Sequence, residues 1–153
     1  MTFDIKKLAY CGIYCEQCAA KVAFEEQNMK HVEAMPFKIT KVDLSDKPDL
    51  SVFDCECCKG RCICGPCRIK DCATQRAIQS CAECDDFPCE HINHFANDGM
   101  PHHHTAIENL KNIRENGLEK WFENLQLLLR CHCGERQSWY YFCPDHQGTK
   151  ESK

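Results

Sequence analysis

Apolar residues in this chain recur with a helical period in two places and fail to do so between them. Leu118, Trp121, Phe122, Leu125, Leu128 and Leu129 follow the i, i+3, i+4, i+7 stripe of an amphipathic helix. Just before it, Ile107, Leu110 and Ile113 mark another apolar face, with Thr105 and Glu108 at capping-box spacing and Gly117 placed to end that helix. The two stripes predict an antiparallel or bent helix pair over 99–130 that supplies much of the core. Near the N-terminus Cys18, Ala19, Val22, Ala23, Met29 and Val32 recur near the same period. From Met35 to Asp54, Pro36 and Pro48 interrupt the chain, and Lys38 to Leu44 alternates as a short strand would; the stretch reads mostly as loop. At the far end the run Trp139, Tyr140, Tyr141, Phe142 predicts a strand.

The middle third has little apolar volume, and cysteine takes its place. Ten of the sixteen cysteines fall between Cys55 and Cys89, where Cys64-x2-Cys67-x4-Cys72 is followed by Cys81-x2-Cys84-x4-Cys89. Sulfur spacing repeated among dissimilar neighbours points to geometry around an ion, since a two-residue gap turns both thiolates to one side with backbone N–H groups aimed at them. Gly60, Gly65 and Pro66 favour turns at these pairs. Asp71 is placed to cap a helix through Ala77 and Ile78, and Pro88 to open another through His91, Ile92 and Phe95. Cys72 and Cys89 would then occupy matching helix starts, where the positive dipole end favours thiolate.

Composition narrows the alternatives. A chain of 153 residues with a formal charge of −4 is a soft prior for one domain with a small appended module, and it argues against nucleic acid as the main partner. Each ion held by four thiolates adds about two further negative charges, so Lys59, Arg61, Arg68 and Lys70 read as local counter-charges. No apolar leader opens the chain and no run is long enough to span a membrane, which sets the expectation of a cytoplasmic protein whose thiols are ligands, not disulfides. His102, His103 and His104, after the break at Asn97-Asp98-Gly99, read as a solvated loop entering a helix.

Cys11-x3-Cys15-x2-Cys18 coincides with the cluster motif of radical S-adenosylmethionine enzymes, but the long βα alternation those enzymes need is missing. Cys131-x-Cys133-Gly134 and Cys143-Pro144-x-His146 flank the aromatic run and resemble a zinc ribbon, two ligand turns joined through a hairpin. The joint pattern of Cys11, Gly12, Tyr14, Cys15, Cys18, then Cys64, Cys67, Ile69, Cys72, then Cys81, Cys84, Phe87, Pro88, Cys89 resembles a bacterial and archaeal family of cysteine-rich proteins, a domain of unknown function. The resemblance covers about Leu8 to Phe95 and implies zinc binding without lending an activity.

The expected fold is a small metal-rich α+β protein: short helices around cysteine-ligated sites, an amphipathic helix pair and a C-terminal zinc-ribbon-like β-hairpin. The expected organisation is a cysteine-rich domain over 1–98, the helix pair over 99–130, the ribbon-like module over 131–147 and a disordered tail over 148–153. Candidate metal ligands are Cys11, Cys15, Cys18, Cys55, Cys58, Cys62, Cys64, Cys67, Cys72, Cys81, Cys84, Cys89, Cys131, Cys133, Cys143 and His146. Two or three zinc ions are expected, with an iron–sulfur cluster as the alternative because thiolate quartets suit both. The leading function is a structural or protein-interaction module with closed thiolate sites and a protein partner. The alternatives are an iron–sulfur electron carrier and a zinc- or thiol-dependent enzyme. For the last, Glu16, Glu83, Asp85 and His91 lie near ligands in sequence, and the adjacent pair Cys57 and Cys58 offers a surplus thiol.

Overall fold

A computed structural model describes residues 2–35, 49–139 and 142–146. Among them lie six α-helices: α1 (Ala19–Glu25), α2 (Lys30–Glu33), α3 (Arg68–Gln75), α4 (Glu90–Ala96), α5 (Pro101–Asn116) and α6 (Leu118–Gln126). Short 3₁₀ turns occur at Ile5–Lys7, Cys15–Gln17, Leu50–Phe53 and Cys81–Glu83. The expected strand over Lys38–Leu44 and the tail over 148–153 fall outside the described residues. No described helix is long and apolar enough to cross a membrane. The chain divides into two units, residues 1–15 with 56–126 and residues 16–55 with 127–153.

In the first unit the core is the α5–α6 pair. Pro101 opens α5, where its missing N–H costs no helical bond, and Gly117 closes it at φ +84° with its N–H on the Ile113 carbonyl at 2.8 Å. The helix thus begins earlier than its apolar period indicates. His102 is buried in its first turn instead of standing in a solvated loop, and Thr105 is no cap, its hydroxyl donating to the His102 carbonyl at 2.7 Å. Ala106, Ile107, Leu110 and Ile113 are buried on one face as expected. On α6 Trp121, Phe122 and Leu125 are buried, but the helix stops at Gln126 and Leu128 is exposed.

The N-terminal segment is fastened to this pair. Phe3 packs on Phe122 with ring centroids 4.9 Å apart, and Tyr14 meets Trp121 and Phe122 edge-on at 6.0 and 5.8 Å. Gly12, at φ +94°, sits so close to α5 that a Cβ there would lie 2.5 Å from the Ala106 carbonyl oxygen. Asn109 donates to the Gly12 carbonyl at 2.8 Å and accepts from Trp121 Nε1 at 3.2 Å, joining both helices to the loop that carries Cys11.

The second unit is built on α1, whose Ala19, Ala20, Val22 and Ala23 are buried against α2 and the turn at Leu50–Phe53. Arg136 reaches Glu16, Glu25 and Glu26, and Lys21 pairs with Glu16 at 2.5 Å. The expected α+β fold with a C-terminal zinc-ribbon-like hairpin is not formed: the described residues contain no β-strand, and the protein is helical. What stands in its place is two isolated bridges, Arg130 with Arg136 and Ser138 with Phe142. The chain turns at Gly134 (φ +92°), and Gln137 and Ser138 beyond it are buried, with Ser138 Oγ 2.8 Å from His31 Nδ1; Tyr140 and Tyr141 of the expected aromatic strand lie outside the described residues.

Candidate metal centres

Cys131, Cys133, Cys143 and His146, all in the second unit, bring their ligand atoms within 4.8 Å of one another and can hold a metal ion. Two turns deliver them. Gly134 N–H bonds to the Cys131 carbonyl at 2.9 Å and Cys131 N–H to the Glu135 carbonyl at 2.8 Å, while His146 N–H bonds to the Cys143 carbonyl at 3.3 Å. Cys133 Sγ lies 3.7 Å from Cys143 Sγ, and His146 Nδ1 lies 3.5 Å from Cys131 Sγ and 3.7 Å from Cys143 Sγ. A tetrahedral zinc with Zn–S of about 2.3 Å and Zn–N of about 2.0 Å has edges of about 3.8 Å between sulfurs and about 3.5 Å between sulfur and nitrogen.

The electrostatics of this group suit a cation. The backbone N–H of Cys133 is the main cause that draws the Cys131 thiol down to about 6, which favours the thiolate. A second imidazole, His132, stands 3.5 Å from Cys131 Sγ. Cys143 is buried and Cys133 exposed, so one edge of the group faces solvent.

Backbone N–H groups also point at other thiols: those of Ile13 at Cys11, Ala20 and Lys21 at Cys18, Lys59 at Cys57 and Tyr10 at Cys58. The N–H of Cys64 lies 3.4 Å from Cys62 Sγ. This arrangement stabilises negative sulfur, the form that binds metal.

In the second unit Cys18 caps α1; burial pushes its thiol up to about 11, with the charge of Cys55 adding to the rise. In the first unit Cys15 Sγ lies 2.7 Å from Cys57 Sγ, and that contact is the main cause that raises Cys57 to about 12. Cys58 is raised chiefly by Cys57, and Cys11 chiefly by burial, with the charges of Cys58, Cys67 and Cys81 contributing. Cys57, read from sequence as surplus, is therefore the partner of Cys15; only its burial would have marked it, and burial is not visible in spacing. None of the sixteen cysteines is in a disulfide.

The repeat behaves differently in its two arms. Cys81, Cys84 and Cys89 line one cavity together with Cys72, between α3, the turn at Cys81–Glu83 and α4, whereas Cys64 and Cys67 are not part of its lining. The matching helix starts are Cys67 on α3 and Cys89 on α4; Cys72 lies in the middle of α3, which begins at Arg68 and not at Asp71. Burial pushes Cys81 up to about 12, followed by the charges of Cys89, Cys84, Cys72 and Cys67. Among the described residues the C-terminal group is the one whose ligand atoms could hold a metal ion.

A small helical protein, rich in cysteine and carrying a Cys/His group able to hold a metal, is the class these features define. The family model described as protein of unknown function DUF3795 matches residues 7–94, and the chain belongs to that family. No curated protein and no solved structure matches it.

Proposed function

We propose that Cys131, Cys133, Cys143 and His146 hold one zinc ion in a closed structural site, and that the surface this ion stabilises serves a protein partner. The observation that carries the reading is the gathering of four ligand atoms within 4.8 Å, with three of their six edges at 3.5, 3.7 and 3.7 Å, lengths that suit zinc bound by thiolates and one imidazole. Four protein ligands fill a tetrahedral ion and leave no position for water or substrate, which favours structure over catalysis. Metal binding there is folding free energy, because the described segment has no strand ladder and little apolar burial of its own to hold it. Leu127 and Leu128, 80% and 41% exposed just before Cys131, support a role in contacting a partner.

The test is metal content by elemental analysis on the full chain and on Cys143→Ser. The reading expects one fewer zinc per chain in the variant, together with loss of protease resistance in the C-terminal segment. Unchanged zinc would refute it.

A further inference from the structure

A cavity of about 20 Å³ lies in the first unit between α3, the turn at Cys81–Glu83 and α4. Four thiols reach it from three separate pieces of chain: Cys72 from the middle of α3, Cys81 and Cys84 from the ends of one turn, and Cys89 from the start of α4. The rest of the lining is mostly apolar, with Ile69, Ile78, Phe87 and Ile92 among it.

These sulfurs are held in place from outside the cavity. Cys81 N–H bonds to the Tyr10 carbonyl at 2.9 Å, and Arg114 donates to the carbonyls of Ala82 and Cys84 at 3.1 and 2.8 Å. Ser80, buried, accepts from Ala82 N–H at 3.2 Å. The Arg76 guanidinium faces the group: its Nη1 lies 3.4 Å from Cys84 Sγ, with Asp86 holding the other end at 2.6 Å.

Spacing separates this group from the zinc site. Four thiolates on one zinc stand about 3.8 Å apart and leave no water-sized space among them. Among the described residues these four do not make up a group that could hold a single ion, yet all four border the same small cavity. An iron–sulfur cubane has that requirement, since each thiolate binds its own iron and the sulfurs stand around a core instead of around a point.

We propose that Cys72, Cys81, Cys84 and Cys89 ligate a [4Fe–4S] cluster. On loading, four thiols release four protons and bind the 2+ core, giving a centre of net charge 2− that the Arg76 guanidinium partly offsets. The donor N–H of Arg76 at Cys84 is also a hydrogen bond of the kind that raises a cluster's reduction potential. This proposal uses none of the C-terminal ligands, so it stands or falls apart from the zinc reading.

The experiment takes the full chain, purified without oxygen and reconstituted with equal amounts of ferrous and ferric iron and with sulfide, which together balance the 2+ core with no further oxidant. About four irons and four sulfides per chain are expected, with broad visible absorbance that bleaches when dithionite delivers one electron. Cys89→Ser should lose the colour and keep the zinc that Cys143→Ser removes, and Cys143→Ser should do the reverse. Arg76→Gln should keep the cluster and shift its midpoint potential to more negative values, a change that a purely structural arginine would not produce. A colourless reconstituted chain overturns the proposal, whatever the folding of the variants. So does zinc content that falls in Cys89→Ser, while an Arg76→Gln potential equal to that of the parent overturns the part given to Arg76.

Discussion

His31 Nδ1 lies 2.8 Å from Ser138 Oγ, and both side chains are buried. The contact ties α2 to the segment that leads to Cys143, and His31 also meets the Phe142 ring edge-on at 5.6 Å. Burial lowers the His31 pKa from 6.5 to about 4, with Glu26 opposing. As pH falls the unfolded chain takes up this proton first, so the contribution of His31 is whole above pH 6.5 and is lost progressively between 6.5 and about 4. Thermal melts of His31→Gln should therefore show a shallower decline of Tm across that window than the parent. Equal slopes would place the acid sensitivity elsewhere.

Gly12→Ala should destabilise the protein by about 2–4 kcal/mol, because it combines a positive φ with a Cβ 2.5 Å from the Ala106 carbonyl oxygen and 2.8 Å from Leu110 Cγ. Backbone oxygen on a helix cannot move aside cheaply. Urea unfolding with an unchanged m-value and a lowered midpoint is the expected result, and a midpoint equal to the parent's would contradict the close approach.

Leu110 is fully buried at the centre of the first unit, so Leu110→Ala should cost about 2–5 kcal/mol. Leu127→Ala, at an 80% exposed position, should change stability by less than about 0.5 kcal/mol. The contrast between the two in chemical denaturation checks the core assignment.

Arg136 joins three carboxylates, with Glu16 at 3.5 Å and Glu26 at 3.6 Å beside the shorter contact to Glu25. Its side chain is 17% exposed, so Arg136→Met leaves partly desolvated like charges facing one another and should cost about 1–3 kcal/mol. Added salt should narrow the gap between variant and parent. A salt-independent difference would assign the loss to packing.

Much of the helical half was legible because its signals are periodic: Ile107, Leu110, Ile113, Trp121, Phe122 and Leu125 lie where a 3.6-residue stripe puts them, and Gly117 ends α5. The start of α5 was not, since Thr105 and Glu108 imitate a cap one turn inside a helix that Pro101 had already opened. The aromatic run from Trp139 suggested a strand, but strands need a partner ladder, and pairing among the described residues here is limited to single bridges. The grouping of Cys131, Cys133, Cys143 and His146 could be read from ligand spacing alone. The contact of Cys15 with Cys57 could not, because it depends on how distant segments meet.

The most direct measurement is zinc per chain in the purified protein and in Cys143→Ser, by elemental analysis under identical handling. A drop of one zinc per chain, with His146→Ala giving the same drop, is the predicted result. Zinc content unaffected by either substitution would contradict the claim that these four side chains enclose an ion.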